Sequence, residues 1–554
     1  AMKRISAILV VGVVAAVAAS AEAKKPSATD GQTSDVQNAK NAAQAADSLL
    51  TEELFHPPSG SVDLAPNTGD EMFLRRVSLD LVGRLPSATE VTTFALDGSP
   101  NKRAAVVERL LARPAFGRKW ARYWRDVIFY RRGDDRALLA AGAAERFLTD
   151  EFNRDAPWNQ IAERFITATG DIREHGETAV IAAQMGDAND VTAEMSRIFL
   201  GVQIQCAQCH DHPTDRWKRV QFHELAAFFP RIALRPVRDG MNRSFEVVSH
   251  DVERGKPGKG GGGRRGDLEH RMPDLKDSSS KGAVMSPVFF LTGQRLPLGE
   301  SDQQRRETVA GWMTAKSNRW FAKAFVNRIW AELVGEGFYE PVDDLGPDRT
   351  CSAPKTMDYL ADEFARHDYD VKWLFRTVTA TDAYQRESRP RRNLDEVPFT
   401  ANCSQRLRSD QIYDMLTDAL GTPASGPEKN KQGQGRPRAG ARAVFAAVFG
   451  YDTSDRRDEI SGTIPQALAL MNSPLVNRAV NGRRPQTDLG KLLASIGDDD
   501  EVTVELYLRC LGREPNDKEL TILRDYLRST GDRVAAFEDV FWALINSTEF
   551  LHRR

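Results

Sequence analysis

The stretch Leu110–Tyr130, LLARPAFGRKWARYWRDVIFY, sets Trp120, Tyr123, Trp124, Val127 and Ile128 three and four residues apart. That spacing gathers five large apolar side chains on one face of an α-helix. An aromatic stripe of this kind reads as core before it reads as a cofactor box. A second stretch, Asn318–Gly335 (NRWFAKAFVNRIWAELVG), places Phe321, Phe325, Ile329 and Leu333 four residues apart. Beyond a loop from Pro341 to Pro354, Thr356–Arg366 and Val371–Ala380 read as two more helices. The expected fold is mainly α: multi-helical and two-lobed, with long loops and a Gly-rich insertion.

The 554 residues hold 76 Lys+Arg against 78 Asp+Glu, a formal charge of −2, and 41% of them are apolar. That apolar share supports packed cores, and the length suggests two to four domains. Near-neutral charge argues against a nucleic-acid-binding surface, which normally carries a basic surplus. Five Cys are too sparse for a disulfide-built miniprotein.

Lys3 and Arg4 precede an apolar run from Ile5 to Ala19, followed by two small-x-small sites, Ala19-Ser20-Ala21 and Ala21-Glu22-Ala23. Residues 1–23 therefore read as a signal peptide, and the expected location is periplasmic or secreted. No later stretch is apolar enough to act as a transmembrane anchor after cleavage. Residues 24–46 are small and polar and read as a flexible tether. The block 47–232 reads as a helical domain, and 233–282, with Gly260–Gly263, Arg264 and Arg265, as a Gly-rich flexible insertion. A phosphate-binding loop would need a Gly-Lys-Ser/Thr ending there, which is absent. Residues 283–421 read as the first part of a second helical domain, 422–440 as a linker and 441–554 as its C-terminal part.

One motif occurs twice. Gly83-Arg84-Leu85-Pro86-Ser87 with Glu90 matches Gly512-Arg513-Glu514-Pro515-Asn516 with Glu519. Each pattern implies a helix stop at Gly, a Pro-stiffened turn and an N-cap with a capping-box Glu. The expectation is two copies of one small helical unit, packed together.

The chemistry-bearing motif is Cys206-Ala207-Gln208-Cys209-His210, the C-x-x-C-H pattern of c-type haem attachment. Two thiols add to the haem vinyl groups and the adjacent imidazole becomes an axial ligand to iron. The expected cofactor is one covalent haem c at Cys206, Cys209 and His210, used in electron transfer with a redox partner protein.

Two other readings stay open. Cys206, Cys209, His210 and His212 supply the ligand types of a zinc or non-haem iron site, with Asp215 as an oxygen ligand. The two Cys also suit a disulfide or a redox dithiol, although no βαβ context is present. A sixth haem ligand is not legible among Met185, Met195, Met241, Met272, Met285, His175, His212, His223, His250 and His270, and His212 suits a role behind His210. Cys351, Cys403 and Cys510 allow at most one disulfide. The pair Asp343-Asp344 reads as a solvated turn or cap. No G-x-S-x-G, H-E-x-x-H or Walker motif appears, so whether the chain is an enzyme stays open.

At these residues the chain resembles the secreted planctomycete-type cytochrome-like proteins built from paired domains of unknown function, the PSCyt/PSD pair. The resemblance rests on FLRRVSLDLVGRLPSATEV (73–91), RLLARPAFGRKWARYW (109–124) and FLGVQIQCAQCHDHPTDRW (199–217) in the first half. In the second half it rests on residues 318–346, 464–474 and 506–515. It implies haem at Cys206, Cys209 and His210, and a family role in extracellular polymer breakdown has been inferred from gene company alone. The family's Asn-Pro-Pro-Ser-His-Pro-like string is replaced by Asp348–Pro354, DRTCSAP. The separate N-terminal cytochrome module of many members is missing too, so the resemblance implies a single haem.

Overall fold

A computed structural model describes residues 28–56, 62–239, 242–250, 269–391, 396–421, 441–457, 460 and 462–554. The signal peptide and the 422–440 linker lie outside them. Among the described residues the first half runs α1 (Ala28–Leu50), α2 (Asp70–Val82), α3 (Ala88–Leu96), α4 (Lys102–Leu111), α5 (Pro114–Phe129), α6 (Ala141–Asn153), α7 (Trp158–Thr167), α8 (Ala179–Ala183), α9 (Ala188–Met195) and α10 (Arg219–Ala226). The second half runs α11 (Asp302–Thr314), α12 (Arg319–Val334), α13 (Pro354–Arg366), α14 (Val371–Ala380), α15 (Asp382–Gln385), α16 (Ser409–Ala419), α17 (Ala441–Phe449), α18 (Ile464–Met471), α19 (Pro474–Ala479), α20 (Asp488–Ser495), α21 (Asp499–Leu511), α22 (Asp517–Thr530), α23 (Arg533–Ile545) and α24 (Thr548–Leu551). The mainly α expectation holds.

The aromatic stripe is the centre of the core. Pro114 opens α5 at a position that needs no N–H donor, so one helix ends and the next begins inside the Leu110–Tyr130 stretch. Trp124 then stacks on Phe325 of α12 at 5.7 Å, and Trp120 meets Phe375 of α14 at 4.5 Å. The 233–282 insertion therefore interrupts one continuous core, to which α2–α9 and α11–α14 both contribute. A second apolar cluster begins at Leu407 and gathers α16 to α24, with Leu79 of α2.

Two readings need correction. The stretch 24–46 is no tether where it is described: α1 buries Ala39, Ala42, Ala43, Ala46 and Leu50. Small side chains at helical spacing let it lie close to α13 and α14. Part of the 233–282 insertion is ordered as strands β2 (Ile232–Asp239) and β3 (Asn242–Ser249). With β1 (Gly170–Asp171) they make an antiparallel sheet in the order β1-β3-β2, held by buried Val247 opposite Leu234. The polar residues on these strands, Arg235, Arg238 and Glu246 among them, mask that short apolar alternation in the sequence.

The repeated motif folds alike in both copies. Gly83 and Gly512 close α2 and α21 in the left-handed region, at φ 72° and 67°. Ser87–Glu90 and Asn516–Glu519 each form a complete capping box. The copies touch: Arg75 Nε donates to the Leu511 carbonyl at 2.7 Å, beside Leu85 and Pro86.

Between the two apolar clusters runs a belt of buried charge. Arg197, Arg328 and Asp343, Glu332 and Arg457, Arg408 and Asp410, and Asp80 and Arg553 are ion-paired there. Such pairs persist in a core only when nearly every donor and acceptor is met.

Candidate functional site

The C-x-x-C-H motif sits on a short 3₁₀ turn, Gln205–Gln208, which follows a wide helical turn, Ser196–Leu200, directly after α9. Val202, Ile204 and Ala207 point inward and are fully buried. With those pegs fixed, Cys206, Cys209 and His210 face solvent. Both cysteines are free thiols, as are Cys351 and Cys510.

His210 is oriented by its neighbour. Its Nδ1–H donates to the Asp211 carbonyl at 2.7 Å, which fixes the tautomer and leaves Nε2 as a bare lone pair. Asp211 is held in turn: its carboxylate accepts from Lys218 Nζ and from the Arg219 backbone N–H, both at 3.0 Å. The second bond caps α10. These contacts lower the Asp211 carboxyl below its usual range, the Arg219 backbone bond first and Lys218 next. The loop closes where the His212 N–H reaches the Trp217 carbonyl at 2.8 Å, and Trp217 packs on Phe290 and Trp320.

Behind the turn lies a pair of buried histidines. His223 Nε2–H donates to the Gln208 carbonyl, between the two cysteines, at 3.0 Å. Its Nδ1 accepts from His270 Nε2–H at 2.8 Å. Burial lowers both imidazoles, His270 to about 4, with His223 as a second cause. Both His223 nitrogens are engaged, so it is a backbone clamp and is not free to serve as a distal ligand. His212 Nδ1 accepts from the Thr214 N–H at 3.3 Å. Among the described residues no three His, Cys, Asp or Glu side chains gather as a bare-ion site would need, so Cys206, Cys209, His210 and His212 do not close on one point.

The second half of the chain braces this loop. Arg349 Nη1 donates to the Thr214 carbonyl at 2.9 Å, and Arg216 Nε to Asp348 at 2.7 Å. Asp348 and Arg349 begin the DRTCSAP string. Asp343 reaches the segment just before the motif: Gln203 Nε2 donates to it at 3.0 Å, Arg197 at 2.8 Å and Ser454 at 2.5 Å. Asp343 is fully buried, which corrects the solvated-turn reading of Asp343-Asp344. Burial would raise its carboxyl, but Arg197 and Arg328 hold it well below the usual range. Nothing in its local sequence distinguishes it from a surface acidic pair; its partners come from three distant segments.

Comparison with known families fits this two-part arrangement. Residues 58–233 match PSCyt2, described as a protein of unknown function (DUF1549). Residues 305–443 match PSD1, described likewise (DUF1553). The two matches, in this order, are consistent with a PSCyt2–PSD1 domain pair. The pairing expected from the resemblance is present in the expected order. The motif turn belongs to the PSCyt2 segment and Asp343, Asp348 and Arg349 to the PSD1 segment, so the two matched segments meet at the candidate site. No curated protein and no solved structure gives a significant match. No helix among the described residues is long and apolar enough to cross a membrane.

Proposed function

We propose that Cys206, Cys209 and His210 hold one covalent haem of c type and that the chain exchanges electrons with a partner protein outside the cytoplasm. One observation carries the reading. His210 presents a bare Nε2 beside two exposed, unpaired thiols, on a turn pinned by Asp211 and His223. That donor set suits thioether attachment plus one axial nitrogen. When bound, the group supplies reversible one-electron chemistry at iron. The residues of the chain orient the imidazole, hold the Cys-x-x-Cys turn rigid, and leave the attachment face open to a partner.

Asp211, Lys218 and Arg219 form a polar rim, so one edge of the group would stay wet, which favours outer-surface electron exchange over an enclosed reaction pocket. The test is expression with and without the covalent haem-attachment machinery, followed by intact mass and visible spectrum. Wild type gains the mass of one haem and a Soret band that survives acid-acetone extraction. Cys206→Ser/Cys209→Ser gains neither. A colourless wild type made with the machinery present, carrying zinc or a Cys206–Cys209 disulfide, overturns the reading.

A further inference from the structure

A second site lies away from the motif turn, where the end of α2, the first half of α5 and the first half of α16 converge. Val82, Gly83, Arg84, Ala115, Arg118, Lys119, Arg122, Asp410 and Asp414 line an open-mouthed recess of about 40 Å³. That is room for a group of a few heavy atoms and not for a polymer. Gly83 makes the close approach possible: a Cβ there would lie 3.0 Å from Lys119 Cγ.

The charges of this recess do not balance locally. Asp410 is bound by Arg408 through Nε at 3.0 Å and Nη2 at 2.8 Å. Asp414 accepts from Arg122 at 2.7 Å and from Arg442. Arg84 pairs outward with Asp418 at 3.3 Å. Arg118 is exposed and has no ion pair among the described residues.

Lys119 is the anomaly. It is 4% exposed and makes no hydrogen bond or ion pair among the described residues. Its ammonium lies 3.4 Å from the centroid of the Trp120 ring. The carboxylates that act on it are Glu332, Asp80 and Asp410, and each is already bonded to an arginine: Arg457, Arg553 and Arg408. An ammonium in so buried a side chain, with no protein acceptor, is costly, and the cost is relieved by water at the recess mouth, by losing the proton or by receiving an acceptor. Burial lowers Lys119 to about 7, so near neutrality it is poised between those two outcomes.

We infer that this recess is a binding site for a small oxyanion group, a sulfate, phosphate or carboxylate, held by Lys119 at the base and Arg118 and Arg84 at the mouth. Arriving oxygens would accept from the Lys119 ammonium and from guanidinium donors that nothing else in the recess uses. Bidentate guanidinium contacts suit such planar or tetrahedral oxyanions. The inference is independent of the haem reading, since none of these residues touches the Cys206–His210 turn.

The experiment titrates the full chain with sodium sulfate, phosphate and acetate, each against chloride at matched ionic strength, following melting temperature and heat. Wild type should show saturable binding of at least one of the three, and their ranking identifies the oxyanion. Lys119→Met should weaken that binding by about tenfold or more, the scale of one charge-assisted hydrogen bond, and Arg118→Ala by several-fold. A measurement on wild type covers the case in which Lys119→Met fails to fold. Acetylation of Lys119 at pH 7.5, read by peptide mass, should be slowed several-fold by the anion that binds, while other lysines are unaffected. Absence of saturable binding for all three ions, or binding that leaves both Lys119→Met affinity and Lys119 acetylation unchanged, overturns the inference.

Discussion

Arg553 Nε reaches both carboxylate oxygens of Asp80, at 2.7 and 2.9 Å, across 473 positions of sequence. The same guanidinium donates to Asn402 Oδ1 at 2.8 Å and to the Leu333 carbonyl, so one side chain ties α2, α12 and the Asn402 segment. Tyr384 Oη also donates to Asp80, at 2.8 Å. Replacing Arg553 by Met leaves a buried carboxylate without its cation, which should cost about 3–5 kcal/mol in urea unfolding. Burial already pushes the Asp80 carboxyl up, against the pull of Arg553. A raised carboxyl contributes its stability below the unfolded value and loses it as pH rises through the folded one. The deficit of Arg553→Met should therefore be smaller at pH 5 than at pH 8, and equal deficits would rule this account out.

The contact between the two repeated turns can be isolated by comparing glycines. Gly512 and Gly531 share nearly the same left-handed backbone, at φ 67° and 69°. A Cβ at 531 meets open space, whereas one at 512 comes within 3.3 Å of Leu85 and Pro86. Gly531→Ala should cost about 1 kcal/mol for backbone strain alone. Gly512→Ala should cost about 1 kcal/mol more, because it also crowds the interface between the copies. Denaturant midpoints measure both, and equal losses would mean that the turns do not bear on each other.

These elements were readable to different depths. The α12 stripe gave its helix nearly to the residue, since helical spacing and caps at Asn318 and Gly335 are local signals, whereas the Leu110–Tyr130 stretch held the end of α4 as well as α5. The paired turns were also legible, because Gly, Pro and the capping-box Glu act within a few positions. The helix α1 was missed: Ala39, Ala42, Ala43 and Ala46 form a face that is weak by hydropathy and matters only against α13 and α14. At the candidate site, the alternation of Val202, Ile204 and Cys206 would set Cys206 on the buried face, whereas the turn at Gln205 carries Cys206 outward and Ala207 inward. The His223–His270 pair and Asp343 could not be read, since their partners lie 15 to 146 positions away along the chain, on segments that only the fold brings near.

The buried histidine pair makes the motif turn acid-sensitive. Burial lowers His270 to about 4, and the neutral pair is what lets His223 accept from His270 while donating to Gln208. A depressed imidazole contributes stability that is present above its unfolded value near 6.5 and is lost as pH falls toward the folded value. Stability should therefore fall between about pH 6.5 and 4, by up to roughly 3 kcal/mol from this group. His270→Asn should flatten that segment of the melting-temperature profile, and the protection factors of amides 205–209, after correction for intrinsic exchange rates, should be lower at pH 5 than at pH 7 in wild type. An unchanged profile in the variant would remove the pair as its source.

Asp343 and Asp344 are adjacent and chemically identical, yet the structure assigns them different weight. Asp343 is buried among Arg197, Arg328, Ser454 and Gln203, whereas Asp344 pairs with Arg349 at 2.9 Å in a part-exposed position. Asp343→Ala strips two buried guanidinium groups of a shared carboxylate and should cost about 3–5 kcal/mol. Asp344→Ala should cost under about 1 kcal/mol, the range of a part-exposed ion pair. Because Arg197 and Arg328 depress the Asp343 carboxyl against the effect of burial, its contribution is present above the unfolded value near 4 and is lost progressively as pH falls below it toward the folded value. Gln203 precedes Cys206 by three residues, so loss of Asp343 should also loosen the turn that presents the two thiols. Hydrogen exchange over residues 203–209 should quicken in Asp343→Ala and stay at the wild-type rate in Asp344→Ala, and the same rate in both variants would show that the PSD1 segment does not brace the motif through this carboxylate.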